Sequence, residues 1–542
     1  MSIYKSPWGE IDNPFYGNLA SFILENKYWK ENPSKTVFVD ASTGESLTVS
    51  QVTNFSLRLN YLLKNKYQIK VDDVVNLFSP NSIYTAGIHY GILARGGIVS
   101  PSNIAYTPSD LYHQLQLSGA KVVIVHEALK PIVDEALKLG DHKVRNVVIF
   151  SDLVKEVNST EQTEDIFELQ GKQAVYKDAY YCCSSGTSGV PKAVMTTHFN
   201  ISINIQQQQI VYPDSYTPSK VFAGIIPVSH IFGLSKFIYS CPYSTSLTVI
   251  FQKFDFELFL KSVPKYRIAS IYVVPPIVVL LAKSPLLDKY DIGNSLTSIF
   301  CGAAPLGREV IDAVKKRLGA SVNIVQGYGL TETSPVTHSP YWDKDIYTPD
   351  GIGWLLPGCT ARLVDENGQD IAAGHRGELW FKGPQVMKGY LNQPTANRET
   401  FSEDGYFKTG DVAVIDRTGQ FYIVDRLKEL IKSKGHQVAP AELEALLLSH
   451  PDIADCAVIG VYSKEEATEY PRAYLVLKDG GKPQDILRWF NSKVARHKKL
   501  WGGIVPIEAI PKNASGKILR RTLRERAASD TPVVTTEREA RL

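Results

Sequence analysis

The sequence predicts an α/β fold: a large N-terminal domain of mainly parallel sheets covered by helices, a small β subdomain closing it, and a small α+β C-terminal domain. Three observations carry this reading. The first is the alternation of strands and helices: the β-branched runs 121–126 (KVVIVH) and 146–150 (NVVIF) bracket a helix-like stretch at 127–139, and 294–300 leads through a turn into helical periodicity at 309–318. Continuous apolar strands alternating with helices belong to parallel sheets buried on both faces. The second is the segment from 377–381 (GELWF) to 419–424 (GQFYIV), whose short strands and glycine turns predict the β subdomain. The third is a change after Asp425-Arg426. There a helix (440–449), two strands (457–461 and 473–477), another helix (483–496) and a basic tail have the size and mix of a separate domain. The expected division is 1–424 and 425–542.

The bulk numbers narrow the function. At 542 residues the chain is too long for one hydrophobic core. A net charge of +3 at this length gives no reason to expect nucleic acid or an anionic membrane as the main partner. The six cysteines include no C-x-x-C spacing, so neither a zinc site nor a disulfide framework is expected, and the thiols read as small buried groups in a reduced compartment. Residues 1–10 carry Lys5 and Glu10 and show no secretory signal. The apolar stretch 268–282 is broken by Pro275-Pro276 and is too short to span a bilayer. Ala540-Arg541-Leu542 follows the small–basic–leucine pattern of a peroxisomal address, which predicts a peroxisomal import receptor as partner and the cytosol as the alternative location.

Four stretches carry candidate chemistry. Ser184-Ser-Gly-Thr-Ser-Gly-Val-Pro-Lys192 offers hydroxyls, close-approaching backbone and a cation to phosphate, without Walker A spacing. Composition alone favours a flexible surface loop. Gln326-Gly-Tyr-Gly-Leu-Thr-Glu332 offers a ring to stack on a base and a carboxylate for a hard cation, or else an ordinary turn into a helix. Lys408-Thr-Gly-Asp411, with Asp425-Arg426 fourteen residues on, offers a carboxylate to a ribose diol, though Gly-Asp is also a common turn pair. Pro511-Lys-Asn-Ala-Ser-Gly-Lys517 taken alone is a solvated basic tail.

In this order the four resemble the adenylate-forming superfamily of acyl-CoA synthetases, peptide-synthetase adenylation domains and luciferases. The 4-coumarate–CoA ligase-like branch is nearest in its further stretches Val274-Pro-Pro-Ile277, Val424-Asp-Arg-Leu-Lys-Glu-Leu-Ile431 and Gln437-Val-Ala-Pro-Ala-Glu-Leu-Glu-Ala445. The likeness runs over about 33–526. It implies an AMP-forming acid–thiol ligase using ATP, Mg²⁺ and coenzyme A, with acid and ATP bound by 1–424 and the catalytic lysine on a mobile 425–542.

By that resemblance Ser184, Ser185, Gly186, Thr187, Ser188, Gly189 and Lys192 hold the β- and γ-phosphates, with Ala193 where the family usually has glycine. Gly302, Ala303, Ala304 and Pro305 sandwich the adenine ring with Tyr328, and Gln326, Gly327 and Gly329 belong to the same cofactor-binding set. Thr331 contacts phosphate, Glu332 holds Mg²⁺, and Asp411 and Arg426 hold the ribose. Lys517 is the lysine of adenylation, His230 lines the acyl pocket, and Lys428 marks a hinge. Ser433, Lys434 and Gly435 meet pantetheine after domain rotation, with Lys432 and Gln437 as polar residues for adenylate or thiol. The acyl pocket draws on Ile231, Phe232, Lys236, Gly302, Gly327, Pro335 and Val336. Phe232 replaces a tyrosine of the plant hydroxycinnamate ligases, which argues mildly against 4-coumarate itself. Lys236 either meets a distal polar group of the substrate or points outward, and the outward orientation is the expectation. The implied acid is medium-chain aliphatic, arylalkanoic or phenylpropanoid. A free-standing carrier-protein thiol is the alternative acceptor, and a non-catalytic nucleotide binder is disfavoured because Lys517, Glu332 and Asp411 are all present.

Overall fold

The computed structural model describes residues 3–184, 191–304, 306–340, 348–434, 436–463, 466, 468–513 and 516–533. Two seven-stranded sheets form the large domain. One runs Asn323–Gln326, Ser298–Cys301, Ser270–Val273, Val221–Gly224, Leu247–Ile250, Thr36–Asp40 and Ser46–Thr48, and it is parallel apart from the last pair. The other runs Gly389–Tyr390, Lys192–Thr197, Asp178–Ser184, Ile98–Pro101, Val74–Phe78, Val122–Val125 and Asn146–Ile149, parallel from Asp178–Ser184 onward.

Burial explains the strand composition. All five residues of Val74–Phe78 are buried, so both faces are covered and the run is almost entirely apolar. Asn76 is admitted because its amide donates to Ser100 O and Ser102 Oγ, both at 2.8 Å. The stretch 127–139 resolves into a tight turn, Glu127–Leu129, and the helix Lys130–Ala136. Ala193 sits inside the strand Lys192–Thr197, outside the left-handed region, so the family's glycine is not required there.

The β subdomain is an antiparallel sheet of Tyr4–Lys5, Thr360–Val364, Gly377–Lys382, Phe407–Ile415 and Phe421–Arg426. The last strand pairs with Phe407–Ile415 through Arg426, so the chain leaves this sheet only after that residue. Beyond it lie a hairpin (Ile431–Ser433 and His436–Val438) and a sheet of Ile453–Ser463, Thr468–Leu477 and Ile504–Pro506. Helices Pro440–Leu448 and Pro483–Lys493 accompany them. This region has its own core around Leu443, Leu447, Leu487 and Phe490, as an independent domain requires. It is seated on the large domain: Lys283 Nζ donates to Leu448 O (3.2 Å) and Ile453 O (3.0 Å), and Ala441 N donates to Asp425 Oδ2 (3.0 Å).

Ligands of open α/β sheets bind beyond the carboxyl ends of the parallel strands. Here Asp178–Ser184, Val221–Gly224, Ser298–Cys301 and Asn323–Gln326 end directly before the phosphate, acyl and adenine candidates in the chain.

Among the described residues all six cysteines are free, and five are buried. No described helix is long and apolar enough to cross a membrane. Ser185, Gly186, Thr187, Ser188, Gly189, Pro305, Gly435 and the terminal Ala540-Arg541-Leu542 lie outside the described residues.

Candidate active site

A cavity of about 430 Å³ opens where these loops meet, and Ser184, Lys192, His230, Thr331, Glu332, Arg426 and Lys517 reach it from six separate stretches of chain. A second space, about 750 Å³, lies between the two domains and shares Ala303, Gly327, Tyr328, Gly329, Arg426 and Lys517 with the first.

The ribose candidates are brought together by strand register. Asp411 and Arg426 are direct partners across the antiparallel strands Phe407–Ile415 and Phe421–Arg426, which is what their spacing encoded. Arg426 Nε lies 3.3 Å from Asp411 Oδ1, and the Tyr328 hydroxyl donates to Asp411 Oδ2. Burial pushes the Asp411 carboxyl up, against the opposing pull of Arg426 and the Tyr328 hydrogen bond. Ala303 is held at a φ of 70°, a conformation an alanine adopts only under constraint from its surroundings. Gln326 lines the second space. Its amide accepts from Leu306 N (2.8 Å) and donates to Leu306 O (3.2 Å) and Pro349 O (2.9 Å), so it braces the backbone behind the site.

On the phosphate side, Glu332 is buried and its Oε1 accepts from the Tyr390 hydroxyl at 2.9 Å. Lys192 Nζ stands 4.8 Å over the Tyr390 ring. A carboxylate that accepts one hydrogen bond keeps lone pairs for a hard cation, and with the Thr331 hydroxyl beside it this donor set fits Mg²⁺ carried by a triphosphate.

Gly329 shows how tightly this segment is folded. A Cβ there would stand 2.1 Å from Pro335 O. Gly329→Ala is expected to displace the 326–332 turn and cost about a hundredfold in kcat/KM for ATP. A steady-state titration of ATP checks this, with the melting curve as control for folding.

His230 caps the helix Ile231–Gly233, its Nδ1 accepting from Phe232 N at 3.2 Å. Burial, and next the Lys517 cation, push its pKa down to about 4, so the ring is neutral at ordinary pH. Lys517 enters from the small domain, where its amide N donates to Asn513 Oδ1 at 2.9 Å. Burial and then the neighbouring Arg426 push its pKa down to about 8, against Glu429 and Asp411.

The acyl end holds the clearest departure from expectation. Lys236 does not point outward: it is buried, it lines the cavity, and it donates to Gln208 Oε1 and, at 3.0 Å, to Tyr216 OH. Sequence reasoning also missed the aromatic wall of Tyr212, Tyr216, Tyr272 and Phe300 around Phe232. Only Phe232 carried a motif signal; the others are ordinary strand and loop aromatics in sequence.

Not every candidate meets the cavity. Lys428 lines it, exposed at the rim, just past the last strand of the β subdomain. Lys432 and Gln437 are exposed cross-strand partners on the small-domain hairpin and line neither cavity. Lys434 Nζ lies 3.2 Å from Glu466 and stands over the rings of Tyr470 and Trp501, while Ser433 is buried beneath. The site as arranged therefore combines the nucleotide, acyl and Lys517 groups and leaves the second-step candidates outside.

This geometry has known counterparts. The family described as AMP-binding enzyme matches residues 26–391, and AMP-binding enzyme C-terminal domain matches 442–517. Probable 4-coumarate–CoA ligase 2 of Dictyostelium discoideum is 36% identical over 520 residues, covering 92% of this chain and 94% of its own. 4-Coumarate–CoA ligase 2 of Petroselinum crispum is 36% identical over 547 residues, covering 97% of each chain. Among solved structures, ATP-bound MatB from Rhodopseudomonas palustris superposes with a TM-score of 0.84 at 24% identity, covering 94% of this chain and 98% of its own. The anthranilate CoA ligase AuaEII in complex with anthranoyl-AMP gives 0.83 at 22%, covering 95% and 98%. At these identities the structural likeness concerns the fold.

Proposed function

Since this chain belongs to the AMP-binding enzyme family, we propose that it activates a carboxylic acid as its acyl-adenylate and then passes the acyl group to coenzyme A. One observation carries the first step: Lys517, from the small domain, enters the cavity that His230, Thr331 and Glu332 line from the large one.

The chemistry follows from those positions. The acid's carboxylate, ionised at neutral pH, attacks the α-phosphate of ATP and pyrophosphate leaves. Charge grows on the phosphoryl oxygens, and a lysine ammonium already in place meets it without reorganisation. Glu332 and Thr331 would hold Mg²⁺, which supplies charge neutralisation on the departing phosphates. Asp411 and Arg426 orient the ribose, and a neutral His230 accepts the acid without repelling or trapping it. Relatives named as CoA ligases support coenzyme A over a carrier-protein thiol. They also support an acid of phenylpropanoid type, as does the aromatic wall of the acyl pocket. For the thiol step, the exposed Lys432, Gln437 and Lys434 would have to be carried to the cavity by a turn of the small domain near Lys428.

Purified protein given ATP, Mg²⁺, coenzyme A and a panel of aryl and aliphatic acids should yield AMP, pyrophosphate and acyl-CoA by mass spectrometry. Adenylate that accumulates while coenzyme A is never consumed would reject the acceptor assignment. The terminal tripeptide as a peroxisomal address is likewise our reading. A fluorescent fusion ending in Ala540-Arg541-Leu542 should enter peroxisomes, and deletion of the tripeptide should leave it cytosolic.

A pH dependence follows from Lys517. The useful form is the cation, and a lysine with a lowered pKa loses it early, so the rate should fall as pH rises through about 8. kcat/KM for pyrophosphate release should show that alkaline limb, and Lys517→Arg, which stays charged, should lack it.

A further inference from the structure

The helical segment that begins at His230 continues as Ile231–Gly233 and then as the wider π-type turns of Leu234–Ser240. Its first residue lies beside Lys517 at the reacting end, while Lys236 lies six residues further along, about 9 Å down the axis at helical rise. An acid with its carboxylate between His230 and Lys517 therefore extends its far end toward the Lys236 ammonium.

That ammonium has an unusual environment. It is 6% exposed, and among the described residues its hydrogen-bond partners are Gln208 Oε1 and Tyr216 OH, with no carboxylate within ion-pair distance. Its other neighbours are rings, with Nζ 4.7 Å from the Tyr272 centroid and 5.7 Å from that of Tyr216. The cradle is itself braced: Gln208 Nε2 donates to Asn204 O and Oδ1, both at 3.1 Å, which turns Oε1 toward the lysine, and Tyr216 OH is 2.6 Å from Tyr272 OH. Every group facing the ammonium is a neutral dipole or a π face, so burial pushes its pKa down to about 7, against a small opposing pull from Cys241. A methionine would pack the same volume without that penalty. Its protonated form, with two of three protons engaged and set in a cavity wall, is an unfilled anion site, and a carboxylate beside it would hold it protonated.

We propose that Lys236 reads a second carboxylate on the acid, so that the preferred substrates are dicarboxylic acids with an aromatic or similarly long body. The proposal rests on the ligase reading above and adds the substrate class. The second carboxylate supplies the counter-charge the ammonium lacks, and the aromatic wall of Phe232, Phe300 and Tyr272 takes the body between.

The test compares length-matched acids on the whole enzyme: cinnamic, 4-hydroxycinnamic and 4-carboxycinnamic acid, and octanoic against octanedioic acid. Pyrophosphate release is measured with the native chain, Lys236→Met and Lys236→Arg. The native enzyme should favour each diacid over its monoacid by about tenfold to a hundredfold in kcat/KM, mainly through KM. Lys236→Met should abolish that preference, and Lys236→Arg should keep much of it. A native preference for the monoacids or for the 4-hydroxy acid overturns the proposal, and that result needs no variant to fold. Equal loss on every acid in Lys236→Met also overturns it, since that marks a packing role. No pyrophosphate with any acid rejects the ligase reading itself, which separates the two failures.

Discussion

Lys517→Ala should lower pyrophosphate release by about 10²- to 10³-fold, the size expected when one preorganised charge is taken from a buried transition state. The side chain occupies the point where the small domain meets the cavity of the large one, with Arg426 and Asp411 close enough to shift its titration. ATP binding should fall much less, because Lys192, Asp411 and Arg426 lie on the large domain and keep their positions. The variant should still convert a supplied acyl-adenylate to thioester, since the turn of the small domain proposed for the thiol step carries Lys517 away from the departing AMP. Rapid-quench measurement of pyrophosphate without coenzyme A, beside calorimetric ATP titration, separates these effects. A loss of less than about threefold would remove Lys517 from the chemistry.

Arg520→Met should destabilise the small domain by about 3–5 kcal/mol, the usual result when one partner of a buried ion pair is removed. The guanidinium holds both oxygens of Glu444 at 2.7 Å, lies 3.1 Å from Glu429, and donates to Val458 O at 3.2 Å. Glu444 is 8% exposed and also accepts from Val458 N at 2.7 Å. Burial raises the Glu444 carboxyl and Arg520 is the main pull against it, so without Arg520 the carboxyl protonates far more readily. The folded variant then binds a proton that the unfolded chain, titrating near 4.3, has already released. Its stability should therefore fall as pH rises above about 4.3. Calorimetry should show the small-domain transition lowered by more than about 10 °C, least so at acid pH. Arg520→Met with Glu444→Leu should recover much of the loss. Because Lys517 lies three residues before Arg520, the single variant should also lose adenylation, whereas the double one should regain it.

The alternation of apolar strands with helices, the glycine-punctuated strands after 377 and the change after Arg426 were all readable in the chain. Local periodicity is set by backbone geometry that neighbouring residues share. The nucleotide candidates were readable for a related reason. They lie in or directly beside strands, where chain order already limits what can meet, and Asp411 and Arg426 are cross-strand partners whose spacing is that of one hairpin.

Lys236 shows where such reading stopped. It follows Phe232 by four residues, which on a regular helix puts both on one face. Yet nothing in the run from Pro227 to Leu234 marks where the helix begins, and a lysine among apolar residues is most often exposed. Its inward direction depends on Gln208, Tyr216 and Tyr272, which come from a helix, a loop and a strand of the same domain. The aromatic wall was hidden in the same way, because a strand aromatic does not record which side of the sheet carries the cavity. So the sequence by itself determined the α/β architecture, the order of the motifs and the family they resemble. Only the tertiary structure decided which side chains face one another in the acyl pocket and that Lys517 reaches it, because side-chain direction and domain placement come from packing between segments far apart in the chain, on which local pattern has no hold.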